Sequence, residues 1–293
     1  MDFLDSAANV FALSLVFALI SFSVYLTTAI MKVTDVACDS CVTLGGCTYG
    51  ALVVVGINPI IAVFTATLCG VIAGFTISSI TNHIKIELVL SSVITMSIIQ
   101  TFVLKLCNFG ESIKENLHKS GSIFNFSPVE NAIIILVIVS IVAFFFYKFL
   151  NSEYGLAMRV YGDGVIISES LGIDTKHVLW VGLGLSNGLA AGAGALMTQV
   201  MGNFSTVMGA GALVFGIASV IIGQRLATTN SVKESIIGCF IGAIIYKIAI
   251  ELVTSLGSST VGSDYNNIII AIVLIFLMVT VNDQRKQENL ENF

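Results

Sequence analysis

An all-α protein that crosses a membrane many times is the fold class this sequence predicts, and three observations predict it. Of its 293 residues 56% are hydrophobic and only 11% charged, and the mean hydropathy is +0.97; soluble domains carry about 25% charged residues. The apolar residues gather into runs of roughly 20, the length that crosses a bilayer as a helix. The lysines and arginines, finally, fall mainly into alternate gaps between those runs, as they do in polytopic membrane proteins.

The runs lie near 10–31, 38–55, 57–81, 86–107, 128–150, 178–201, 207–224, 234–253 and 265–281, which predicts about nine (8–10) transmembrane helices in one membrane domain, 1–281. The acidic N-terminus MDFLDSAANV lacks the basic region of a cleavable signal, so the first run is expected to be kept as a span. The only two prolines, Pro59 and Pro128, stand at span starts, where the missing N–H costs nothing. Asn108–Ser127 reads as a polar loop and 282–293 as a short charged cytoplasmic tail. Placing that tail inside puts Lys32, Lys85, Lys148, Arg159, Lys176, Arg225, Lys233, Arg285 and Lys286 in or beside the cytoplasm. Only Lys105, Lys114 and Lys119 are left outside, with Lys247 within a span. The N-terminus is then outside, the 151–178 loop is cytoplasmic, and Asp35 and Asp39 border the first two spans at the cytoplasmic edge.

The spans carry an internal repeat. A shift of 171 residues lays YLTTAIMKVTDVACDS over LMTQVMGNFSTVMGAG, matching Thr27 with Thr198 and, beyond it, Gly45 with Gly216. A shift of 168 lays Gly70-Val-Ile-Ala-Gly74 over Gly238-Cys-Phe-Ile-Gly242. Repeat one covers about 10–107, the span 128–150 is an odd connector, and repeat two covers about 178–281. An odd connector inverts one half against the other, and in inverted-repeat transporters the substrate path lies between the halves. Glycines four apart let helix backbones approach closely, so Gly70, Gly74, Gly238 and Gly242 are expected at helix contacts. A junction between glycine runs, MGNFSTVMGAGALVFG, offers Asn203, Ser205 and Thr206 either to a cavity or to an ordinary turn.

The longest polar interval between spans, 151–178, reads NSEYGLAMRVYGDGVIISESLGIDTKHV. Asp163 is a suitable N-cap and Gly172 a suitable C′ residue for a short helix between them. Ile166, Ile167, Ser170 and Leu171 make a compact, mostly apolar face on it. Either the helix packs on its own protein or it docks on a partner.

Charges and amides within spans are the remaining candidates for a translocation path. Asp35, Asp39, Gln100, Asn187, Gln199, Lys247 and Glu251 form that set, and Lys247 and Glu251, four apart, can pair on one helix face. Each has a structural alternative: interfacial charge, interhelical glue, or a snorkelling lysine. The six cysteines lie in or beside apolar runs, and Cys38-x-x-Cys41 has neither a second pair nor a nearby histidine. They read as small packing residues rather than a metal site. No catalytic constellation and no phosphate-binding glycine loop is present, so any use of ATP must fall to another chain.

The stretch GLAMRVYGDGVIISESLGID resembles the cytoplasmic loop of ABC importer permeases of the branched-chain-amino-acid and ribose type, G-x-A-x-R-A-x-G-x-N, then A, then L-G-I. SFSVYLTTAIMKVTDVACDSCVTLGG is similar to the G-V-Y-L-x-F-R-I-L-x-x-x-D-L-T-V-D-G-S-F-x-L-G signature of its tryptophan/tyrosine permease subgroup, and GLGLSNGLAAGAGALMTQVMG and MGAGALVFGIASVIIGQRL are similar to the second half. Family Asp-Gly-Ser is Asp39-Ser40-Cys41 here, an aromatic-arginine pair is Thr28 and Ala29, and Gly-Asp-Asn is Gly162-Asp163-Gly164; these departures touch substrate preference more than architecture. The resemblance implies a type II ABC importer-like fold in the bacterial inner membrane, working as a homodimer. It implies an ABC ATPase dimer holding ATP and Mg, an extracytoplasmic binding protein, an aromatic or hydrophobic amino acid as substrate, and no cofactor, nucleic acid or metal on this chain. It also makes the 151–178 loop the coupling element, with Arg159, Gly162, Asp163, Ile166, Ile167, Leu171 and Gly172 facing or shaping the ATPase contact. The competing reading is a secondary transporter driven by an ion gradient, for which Lys247 and Glu251 are the candidate ion site.

Overall fold

The computed structural model describes residues 2–111, 128–226 and 232–258, and among these the only regular structure is helix. The helices are α1 (Asp2–Val24), prolonged by a π-helical turn (Tyr25–Ile30), α2 (Cys38–Val54), α3 (Pro59–Ile84), α4 (Leu88–Glu111) and α5 (Pro128–Leu150). They continue as α6 (Glu153–Asp163), α7 (Val165–Ser170), α8 (Thr175–Met201), α9 (Ala212–Leu226) and α10 (Val232–Ser258). The expected span at 265–281, most of the 108–127 loop and the tail lie outside the described residues.

Among the described residues five segments are long and apolar enough to cross a membrane: Ala8–Ile30, Pro59–Ile84, Leu88–Cys107, Glu130–Leu150 and Thr175–Met201. Two of them form the core. The apolar windows of Ala8–Ile30 and Thr175–Met201 are 78% and 72% buried, against 28% for Leu88–Cys107 and 22% for Glu130–Leu150. The outer helices instead present Phe64, Leu68, Phe102, Phe144 and Phe145 outward, the surface a hydrocarbon solvent requires. Cys38–Val54 and Ala212–Arg225 are apolar but shorter.

Local chemistry sets the ends of the long helices. Asp174 accepts the Lys176 and His177 N–H groups at 3.1 and 3.2 Å, capping α8, which stops at Gly202 in the left-handed region (φ 65°). Asn58 caps α3 through Ile60 N–H at 3.0 Å, with Pro59 as its first residue.

α8 is the axis on which α1, α2 and α3 pack. α3 runs antiparallel to it: a Cβ at Gly70 or Gly74 would strike the Asn187 or Leu183 carbonyl oxygen, Ser78 Oγ donates to Leu179 O at 3.1 Å, and Asn82 reaches Lys176 O. α2 runs parallel to α8, with Val42 against Gly194 and Gly46 against Thr198. α9 follows the direction of α1, through Phe17–Phe215 and a Ser21–Ser219 hydrogen bond, and α10 returns along α9. Lys32, Lys85, Lys148, Arg159 and Lys176 thereby gather at the end of the bundle that carries α6 and α7, here called the basic end.

The second helix does not begin at that end. After the π-helical turn, Lys32 adopts φ 53° and the chain folds back inward over 31–37. Asp35 there meets Asn187, twelve residues past Thr175, which is about 18 Å along α8 at roughly 1.5 Å per residue. The expectation that Asp35 and Asp39 lie at the cytoplasmic edge is therefore corrected: α2 starts near mid-depth, and Asp35 is only 1% exposed.

Candidate functional site

Two places in the molecule collect the polar residues singled out above. One is the interior where α2 and α9 begin; the other is the α6–α7 element at the basic end.

In the interior, Asn187 Nδ2 donates to Asp35 Oδ2 at 2.6 Å and to Leu183 O at 3.1 Å, while Asp35 Oδ1 accepts from Ala37 N–H at 2.9 Å. A buried carboxylate survives away from water only with such donors. Asp39 does different work: its two oxygens accept the backbone N–H groups of Leu213 at 2.6 Å and Gly211 at 3.0 Å. A side chain from α2 thus caps α9, and its negative charge sits on the positive end of that helix. Thr43 Oγ1, one turn along α2, accepts from Gly209 N–H at 3.0 Å. The junction 202–211 is in this way pinned onto α2.

Beside this junction is a cavity of about 380 Å³. Phe17 and Ile20 of α1, Met197 of α8, Met208 of the junction, Phe215 of α9 and Tyr246 and Lys247 of α10 are among its walls. The junction opens onto it through Met208, Ala210 and Gly211 rather than through Asn203, Ser205 or Thr206. Lys247 Nζ lies 3.4 Å from Glu251 Oε2 and 5.4 Å from the centroid of the Phe17 ring. Gln199 is buried on α8 with neither amide atom hydrogen-bonded, and Gln100, half-buried on α4, is not among the cavity walls. Sequence pattern singled out Lys247 but none of the apolar walls, because an apolar residue in an apolar span carries no mark of which side it faces.

The glycine pairs both occupy close contacts but with different partners. Gly70 and Gly74 bring α3 onto α8, whereas a Cβ at Gly238 or Gly242 would strike Gly223 or Ser219 of α9. Of the six cysteines five are buried and Cys69 is half-buried, and Cys47 and Cys107 bring their sulfurs to 2.8 Å between α2 and α4.

At the basic end, α6 continues to Asp163, so Asp163 is the last residue of that helix and not the N-cap of the next; Gly164, at φ 157° and ψ 132°, stands in the cap position instead. Asp163 pairs with Lys32 at 2.8 Å, Arg159 Nη2 donates to Leu150 O at 2.9 Å, and a Cβ at Gly162 would strike the Ile30 carbonyl oxygen. These three residues fasten α6 to the ends of α1 and α5. α7 ends in a Schellman turn: Gly172 (φ 76°) donates to Glu169 O and Ile173 to Ser168 O, both at 3.0 Å. Between those ends Ser168 is buried, while Ile166 is 81% exposed, Ile167 52% and Leu171 66%.

Fold and site together define a multi-pass membrane protein with a ligand-sized cavity between its helices and an apolar projection at its basic end. The family described as "Branched-chain amino acid transport system / permease component" matches residues 6–278, and the chain belongs to that family. It is 30% identical over 279 residues, 94% of this chain and 90% of the relative, to the tyrosine transport system permease protein of Clostridioides difficile (strain R20291). It is also 26% identical over 275 residues to an uncharacterized protein of Rickettsia prowazekii (strain Madrid E), covering 92% of this chain and 95% of the relative. No solved structure matches.

Proposed function

We propose that this chain is the transmembrane permease subunit of an ATP-binding-cassette importer of the bacterial inner membrane. Two copies form the path for an aromatic or hydrophobic amino acid handed over by an extracytoplasmic binding protein. An ATPase dimer on the cytoplasmic side holds ATP and Mg, and the permease supplies no cofactor of its own. Family membership and the similarity to a tyrosine permease support the substrate class, and the gathering of lysine and arginine at the α6–α7 end supports its cytoplasmic placement.

The observation that carries the reading is the exposed apolar face of α7. A six-residue helix has no stability of its own, yet this one is held at both ends and offers Ile166, Ile167 and Leu171 outward. Arg159, Gly162 and Asp163 then serve as its mounting and Gly172 as its terminator, rather than as contact residues. The mounting leads inward: α7 is joined to α6, α6 grips Ile30 and Lys32, and the segment after Lys32 reaches Asp35, Asn187 and the start of α2. A displacement of α7 on ATPase closure is passed along this route to the interior, where alternating access opens and shuts the path.

The finer architecture we propose is nine spans in two inverted repeats, with 265–281 completing the second. In support, α3 packs on α8 and α10 on α1, α1 and α8 pack on each other, and α2 and α9 both start in the interior, where Asp39 joins them.

The test is Leu171→Glu. Seating an unpaired carboxylate in an apolar groove costs on the order of several kcal/mol, so the variant permease should insert normally but fail to copurify with its ATPase or stimulate hydrolysis. Normal association and hydrolysis would rule α7 out as the coupling element.

A further inference from the structure

We infer that the cavity between α1, α8, α9 and α10 is a binding site for a zwitterionic α-amino acid with a large apolar or aromatic side chain. Lys247 takes its carboxylate there and Glu251 its ammonium. The inference rests on the import reading above and adds the site and the means of recognition.

Charge narrows the ligand first. Lys247 is the only charged residue among the cavity walls described. Its side chain is 16% exposed against 44% for Glu251, so the ammonium points inward and the carboxylate stands one turn further along α10, toward the end away from α6 and α7. A lysine held at membrane depth needs an anion, and Glu251 at 3.4 Å supplies one on a single side. The positive end of α9 also opens here, at Gly211 and Ala212. Asp39 already occupies the N–H groups of Gly211 and Leu213, however, which leaves Lys247 as the group for an incoming carboxylate. An ammonium on the same ligand finds the Glu251 carboxylate, which is not itself a wall but lies 3.4 Å from the Lys247 ammonium that is. Cation and anion one helical turn apart match the two charges of an amino acid.

The walls decide the side chain. Met197, Met208, Phe215 and Tyr246 line the rest of the space with thioethers and rings, partners suited to a flat apolar group. A side-chain carboxylate would find no second cation among the walls. The volume, about 380 Å³, falls within the roughly 300–1,000 Å³ of small-molecule sites.

The experiment is equilibrium binding of radiolabelled L-tyrosine to the full-length permease in nanodiscs, without ATPase or binding protein. Saturable binding is expected, with competition by L-tryptophan and L-phenylalanine but at least about tenfold weaker competition by tyramine, 3-(4-hydroxyphenyl)propionate and L-glutamate, each of which lacks or adds a charge. Lys247→Met should weaken binding at least tenfold, Lys247→Arg should restore most of it, and Phe215→Ala should weaken it without touching a charge. Unchanged binding in Lys247→Met and Phe215→Ala would overturn the site. If Lys247→Met does not fold, competition by tyramine equal to that by L-phenylalanine on the wild-type chain would overturn it instead. So would the absence of saturable binding up to about 1 mM, even if the complete importer took up amino acids with ATP. Failure of the complete wild-type importer to take up any amino acid with ATP would strike the import reading, while binding to the permease alone would still be measured.

Discussion

Gly74→Ala adds one methyl group at the tightest kind of contact in the bundle. A Cβ there would collide with the Leu183 carbonyl oxygen and crowd the backbone of Gly184, so no side-chain rotation relieves it. α3 and α8 must part by on the order of an ångström, which loosens the neighbouring Gly70–Asn187 contact and the Ser78–Leu179 hydrogen bond of 3.1 Å. Such overpacking costs about 1–3 kcal/mol. Alanine also gains about 1 kcal/mol over glycine inside a helix, so the sign is set by which effect is larger. Gly192→Ala is the matched control: on the same interface its Cβ would meet only the side chain of Thr67, with Oγ1 at 3.1 Å. Thermal unfolding of the purified protein in detergent should show Gly74→Ala clearly less stable than wild type and Gly192→Ala equal or slightly more stable. Equal melting of the two variants would refute the close approach of α3 to α8.

Two further substitutions test the interior. Asp39→Ala strips two backbone N–H groups of α9 of their acceptor and should cost about 0.5–2 kcal/mol, read as a lower melting temperature; an unchanged melting temperature would show that Asp39 does not cap α9. Asn187→Leu leaves the buried Asp35 carboxylate without its 2.6 Å donor and should cost at least about 1–3 kcal/mol; a variant as stable as wild type would show that this hydrogen bond is not formed.

Much of the helix layout was legible because lipid is a demanding solvent. It asks for long apolar runs, and the runs near 57–81, 86–107, 128–150 and 178–201 are helices here. Gly172 was legible too, since a left-handed residue closing a helix favours glycine. Asp163 was misread because the local pattern of a capping residue before an apolar stretch does not reveal that the preceding helix runs up to it. The depth at which α2 starts was hidden for a similar reason. Lys32 and Asp35 look like an ordinary cytoplasmic turn, and only a partner 152 residues away in sequence, Asn187, holds that turn inside the bundle. The cavity was the least legible feature. Lys247 stands out as a charge in a span, but Phe17, Met197, Met208, Phe215 and Tyr246 become walls only when four helices and a junction meet.

The central claim is that this chain opens a path for an amino acid when a separate ATPase closes beneath it. The most direct measurement is uptake into proteoliposomes holding the permease, its ATPase and its binding protein, with ionophores collapsing every ion gradient and ATP present only on the cytoplasmic side. The account predicts accumulation of the amino acid that requires hydrolysable ATP and disappears in Leu171→Glu. Accumulation by the permease alone, driven by an imposed proton or sodium gradient and indifferent to ATP, would contradict it.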